Sequence, residues 1–120
     1  DARAIQAAKW NARELGLHRV EFRADRAGAG LAGFLEKMTP AKTVLIVDPP
    51  RSGMEPDVCR RAAAAGFRSV IYISCAPDTL ARDLAGFRDA GYRLAGAQLM
   101  DMFPRTSSFE SVVVLEMQEK

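Results

Sequence analysis

Residues Val70–Leu84 read VIYISCAPDTLARDL. Val70-Ile71-Tyr72-Ile73 is a short apolar run rich in β-branched and aromatic side chains, so a buried strand is expected over Ser69–Ser74. Pro77 starts a turn into a helix expected over Asp78–Ala90, with Leu80, Leu84 and Phe87 facing inward and Gly91 ending it. Cys75 lies at the joint. In open α/β sheets, ligands bind outside the carboxyl ends of the strands, so this cysteine stands where the sheet opens onto a cleft. Two readings follow. Cys75 is a nucleophile whose thiolate is favoured by the positive end of the following helix. Or it is a small apolar filler, the commoner role of a free cysteine.

Working outward, the same strand-then-helix order recurs upstream. Thr43-Val44-Leu45-Ile46-Val47 is a continuous apolar run, the pattern of a parallel strand covered on both faces, and Asp48-Pro49-Pro50-Arg51 stops it. Pro56 opens a helix to about Ala65, with Gly66 past its end. A helix is expected over Ala27–Met38, with Leu31, Phe34, Leu35 and Met38 on one stripe and Gly28 and Gly30 blurring its start. Val20-Glu21-Phe22-Arg23 reads as a short strand reaching Asp25. Ala2–Leu15 reads as a helix through Ile5, Ala8 and Ala12, capped by Asp1 and ended by Gly16. Downstream, strands are expected over Tyr92–Met100 and Glu110–Met117. The alternation predicts a three-layer α/β fold. A first helix needs a sheet to cover, so the chain reads as the back part of a larger domain.

The 120 residues suffice for one domain. At 48% hydrophobic and 27% charged, the composition is that of an ordinary globular protein. No apolar run approaches a membrane span, and Asp1-Ala2-Arg3 does not resemble a leader peptide. Two cysteines are too few for a disulfide framework, so the cytoplasm is the expected compartment. A net charge of +2 permits nucleic-acid binding without arguing for it. No metal-ligand spacing is present, and His18, the lone histidine, sits in a turn.

Two more strand ends carry candidate chemistry. Asp48 is either a turn-capping strand terminator or a carboxylate aimed into the cleft, with Pro49 and Pro50 fixing the backbone beside a planar ring. Glu110 is either a solvated strand end or a general base. Cys59, in an alanine-rich helix, reads as filler.

DPPRSGM (Asp48–Met54), SCAPDTLARDL (Ser74–Leu84) and DMFPRTSSFESVVVLE (Asp101–Glu116), in this order, resemble the RNA uracil-C5 methyltransferases. These S-adenosylmethionine-dependent enzymes make 5-methyluridine in rRNA or tRNA. The resemblance runs from about Ala4 to Leu115 and is most specific around Cys75. It implies a Rossmann-like class I methyltransferase fold lacking its first strands, with residues 1–120 as the C-terminal portion of that domain. It also implies that Cys75 is the nucleophile, Glu110 the base, and Asp48 and Asp25 cofactor contacts. Pro49, Pro50 and Arg51 are then expected to contact the substrate. Ala76 replaces the family's usual asparagine, and Arg105 and Ser108 stand where histidines are frequent.

The rivals are methyltransferases of other bases and a catalytically incompetent fragment or association module. An adenine amino-methyltransferase would carry an aromatic residue where Arg51 stands. An RNA cytosine-C5 methyltransferase would carry a cysteine after the proline of the fourth-strand motif. A chain lacking its first strands is expected to expose strand edges that invite self-association, and to bind cofactor weakly by itself.

Overall fold

The computed structural model describes residues 1–118. Helix α1 (Ala2–Glu14) and helix α2 (Ala27–Leu35) precede a 3-10 turn at Pro40–Lys42. Strand β1 (Val44–Val47), helix α3 (Pro56–Ala64), strand β2 (Ser69–Ser74), helix α4 (Pro77–Asp89), strand β3 (Tyr92–Met100) and strand β4 (Glu110–Met117) follow. The four strands form one sheet in the order β1-β2-β4-β3. β1 and β2 are parallel, and β4 lies antiparallel between β2 and β3.

The elements form where local chemistry asks for them. The Asp1 side chain accepts a hydrogen bond from the Arg3 amide at 2.9 Å, capping α1. Gly66 and Gly91, with φ of 75° and 98°, adopt the left-handed conformation that ends α3 and α4.

Along β2 burial alternates, as a pleated strand requires. Val70 and Tyr72 face the helices together with Leu45 and Val47 of β1 and Val113 and Leu115 of β4. Val58, Ala62 and Ala63 of α3, Leu80 and Phe87 of α4, and Leu31 and Leu35 of α2 pack on that face. Phe87 meets Tyr92 edge to face, with ring centroids 5.4 Å apart.

The opposite face is different. β1 was expected to be covered on both sides, yet Val44 and Ile46 are exposed. Ile71, Ile73, Val112 and Val114 continue that apolar face and stay half-buried. Two of the expected three layers are therefore in place among the described residues. α1 is exposed along most of its length, with only Ala12 buried.

Residues 20–23, expected as a strand, form none. A strand exists by pairing, and β1, at the end of the sheet, has a strand on one side only among the described residues. Arg23 instead pairs with Glu21 at 2.9 Å and lies 5.2 Å over the Phe34 ring. α2 stops three residues before Met38, and no 3-10 turn was foreseen at Pro40. Among the described residues no helix is long and apolar enough to cross a membrane, and no cluster of metal-ligating side chains exists.

Candidate active site at the end of the sheet

Asp48 follows the last residue of β1, and Cys75 the last residue of the parallel β2. Glu110 is the first residue of β4, which runs the other way. All three therefore reach the same end of the sheet. The last β2–β4 rung pairs Ser74 with Ser111, so Cys75 and Glu110 stand one residue past it on adjacent strands. Opposite residues in such a ladder have Cα atoms about 4.5–5.5 Å apart. By the same alternation both continue the half-buried side of the sheet, opposite the side occupied by Tyr72 and Val113. Both residues are half-buried, open enough to meet a ligand.

The Cys75 loop is held by its neighbours. The Ser74 hydroxyl donates to the Ala76 carbonyl at 3.0 Å and accepts from the Ala76 amide at 3.1 Å. Ala76 then caps α4, whose first turn contains Pro77 and Asp78. Glu110 is delivered by the 101–109 loop, where the Thr106 hydroxyl donates to the Phe103 carbonyl at 2.7 Å. Arg105 in that loop has φ of 67°, an uncommon conformation for a side-chain-bearing residue.

A groove of about 580 Å³ opens beside β1. Asp25, Asp48, Pro49 and Pro50 line it, with Leu31 and Phe34 among its apolar walls. Three carboxylates, Asp25, Asp48 and Glu55, thus share one cavity, with Arg23 and Arg26 also in its lining. Arg51 is exposed and does not line it, and neither Cys75 nor Glu110 does. The end of the sheet accordingly has a groove carrying carboxylates and, one strand over, the backbone positions of Cys75 and Glu110 on adjacent strands.

Cys59 is a different kind of cysteine. It is buried in α3 and its thiol donates to the Asp83 carbonyl at 3.8 Å. Burial, and then the Asp83 charge, push its thiol up, so it stays protonated and inert. His18 is exposed.

A family model described as tRNA (Uracil-5-)-methyltransferase matches residues 4–118. The chain belongs to the tRNA (uracil-5-)-methyltransferase family. It is 42% identical over 115 residues to a 23S rRNA (uracil(747)-C(5))-methyltransferase of Shewanella amazonensis, covering 96% of this chain and 29% of that protein. An RNA methyltransferase of Caldanaerobacter subterraneus is 40% identical over 113 residues, covering 94% of this chain and 25% of the relative. The fold is similar to the crystal structure of Pyrococcus abyssi tRNA (uracil-54, C5)-methyltransferase in complex with S-adenosyl-L-homocysteine. The TM-score is 0.75 at 30% identity, over 96% of this chain and 26% of that one. The chain thus spans about a quarter of the length of these members of the uracil-5-methyltransferase family.

One group beside the site escaped the sequence reading. Asp83, on α4, is buried, and its carboxylate accepts from the Tyr72 hydroxyl at 2.6 Å and the Met54 amide at 2.8 Å. The signal was present: Asp83 falls between Leu80, Leu84 and Phe87, a carboxylate on an otherwise apolar stripe.

Proposed function

We propose that the protein carrying these residues is an RNA (uracil-5-)-methyltransferase. It transfers a methyl group from S-adenosylmethionine to C5 of a uridine in rRNA or tRNA through a covalent bond between Cys75 and C6. The observation that carries this reading is that Cys75 and Glu110 stand on adjacent strands one residue past the last β2–β4 rung, at the same end of the sheet as the groove that Asp48 lines.

The chemistry explains why these two groups are needed together. Uracil C5 is a weak nucleophile. Addition of the Cys75 thiolate to C6 moves the ring π electrons onto the carbonyl as an enolate, and C5 becomes electron-rich. S-adenosylmethionine, when bound, supplies an electrophilic methyl group whose departure leaves a neutral thioether. Glu110 then takes the proton from C5. The electron pair of that C–H bond restores the C5–C6 double bond and expels Cys75 as thiolate. A uridine inside folded RNA must be splayed out to reach the sheet end.

The groove residues fit the cofactor. Asp25 and Asp48 complement its sulfonium and ammonium charges, and Leu31 and Phe34 offer apolar wall to its adenine. The volume suits a ligand of that size. Pro49 and Pro50 offer a rigid wall to the base, and exposed Arg51 is free to meet RNA phosphate. We assign the work to the cytoplasm, in keeping with two unpaired cysteines. The unpaired edge of β1 is the proposed route of self-association for these residues in isolation.

The test uses RNA containing 5-fluorouridine. Fluorine at C5 leaves no proton for Glu110 to remove, so the cysteine cannot depart and the adduct accumulates. Mass spectrometry of the full-length protein should find one methylated RNA adduct on Cys75, and none in Cys75→Ala. An adduct that survives the substitution sinks this reading.

A further inference from the structure

Methyl transfer on this reading needs two loops in register. One, after β1, carries Asp48 and the groove; the other, after β2, carries Cys75. Asp48 lines the groove and Cys75 does not. Something must fix one loop against the other.

Helix α4 does so, and it works on backbone atoms. The Thr79 hydroxyl lies 3.2 Å from the Ala76 carbonyl, next to Cys75, and 3.0 Å from the Arg51 carbonyl, three residues past Asp48. Its one proton is shared between these two carbonyl acceptors, and among the described residues no other side chain reaches a backbone carbonyl of each loop. One turn on, Arg82 donates to the Ser52 carbonyl at 3.1 Å and the Met54 carbonyl at 3.2 Å. Its guanidinium is braced by Asp83 at 2.8 Å, whose other oxygen holds the Met54 amide. Tyr72, three residues before Cys75, bonds that same oxygen.

The loop's side closest to α4 is bare. Gly53 has φ of 75°, and a Cβ there would come within 2.5 Å of Arg82 Nη2 and 2.8 Å of Asp83 Oδ2. A side chain at 53 would be strained at this φ and would displace the Arg82 and Asp83 groups that hold the loop. Because α4 grips carbonyls and one amide, the side chains of Asp48, Pro49 and Pro50 remain free to line the groove.

We propose that Thr79, Arg82 and Asp83 form a positioning clamp that sets the distance between the methyl-donor groove and the Cys75 thiol. None of the three touches substrate; they act through the two loops. The inference rests on the uracil methyltransferase reading, and it assigns these residues a role in rate. A displacement of about 1 Å at reacting atoms costs on the order of 100-fold. Each loop keeps its own ligand contacts when the clamp is weakened, so binding should survive while transfer slows.

The experiment compares Thr79→Val, which removes the hydroxyl and keeps the branched shape, with Thr79→Ser, which keeps the hydroxyl. Both are made in the full-length protein. Single-turnover methyl transfer gives the rate, and the endpoint yield of the 5-fluorouridine adduct gives the fraction of competent protein. Thr79→Val should slow transfer about 10–100-fold, with KM for RNA and for S-adenosylmethionine within about twofold and the endpoint yield unchanged. Thr79→Ser should recover to within about threefold of wild type. A Thr79→Val protein as fast as wild type overturns the clamp alone. So does a yield that falls in step with the rate, because the residue would then serve folding only. A wild-type protein that transfers no methyl overturns the functional reading, and the clamp's role in it.

Discussion

The two faces of the sheet are built from the same strands and differ at every second residue. On one face Val70, Tyr72, Val113 and Leu115 are at most 4% exposed beneath α3 and α4. On the other, Ile46 is 62% exposed, although Ile71, Ile73, Val112 and Val114 are as apolar as their neighbours. Sequence hydrophobicity therefore reports what a residue is fit for, and packing reports what it has. The difference concerns function, because the covered face also anchors α4, and α4 holds the two loops of the site.

The comparison predicts unequal costs of substitution. The largest is expected at Phe87, which is fully buried and meets Tyr92 edge to face. Phe87→Ala should lose about 3–5 kcal/mol, from lost transfer energy plus the cavity left behind. Urea unfolding at pH 7 should show a lower midpoint or no cooperative transition. A cost no greater than that of an open-face substitution would erase the distinction between the faces.

Tyr72 should follow. Its hydroxyl donates to a buried, charged acceptor, and Tyr72→Phe should cost about 1.5–3 kcal/mol at neutral pH. The same residue sets an alkaline limit. Burial, and then the hydrogen bond to Asp83, push its hydroxyl well above the ordinary tyrosine value. Up to pH of about 10 both states keep the proton and stability is flat with respect to this group. Above that the unfolded chain releases its proton first, so stability falls as pH rises towards the folded value. Unfolding free energy followed from pH 7 to 11 should decline above pH of about 10, and less steeply in Tyr72→Phe. Part of the decline should remain, because burial also raises Tyr92. Equal alkaline slopes in the two proteins would remove Tyr72 from this account.

How far the sequence carried the reading depends on whether a feature is local. Strand ends at Val47 and Ser74, and the helix stops at Gly66 and Gly91, follow from short-range patterns, and all were legible. So was the alignment of Asp48, Cys75 and Glu110 at strand ends. The strand at Val20–Arg23 was not, because local β-propensity cannot supply a pairing neighbour. Cover on both sides of β1 failed for the same reason: an apolar run states a requirement, and only tertiary structure meets it. The clamp was hidden for another reason. Thr79 and Arg82 bond to loop carbonyls, which every residue possesses, so the loop sequence carries no mark of being gripped, except at Gly53.

The smallest effect separates the faces most cleanly. Ile46→Thr trades an apolar side chain for a smaller, polar, still β-branched one on β1. On the covered face such a change would bury a hydroxyl without a partner. At Ile46 the side chain already meets water, so the unfolding free energy should move by no more than about 0.5 kcal/mol. Its consequence should appear between molecules. β1 is an edge strand with an apolar, exposed surface, the combination that favours edge-to-edge pairing. Sedimentation of the 120-residue chain should show less association in Ile46→Thr than in wild type at equal concentration. A large loss of stability would mean that Ile46 is covered in solution, and the contrast between the two faces would not hold. Unchanged association would place any self-pairing elsewhere than at this edge.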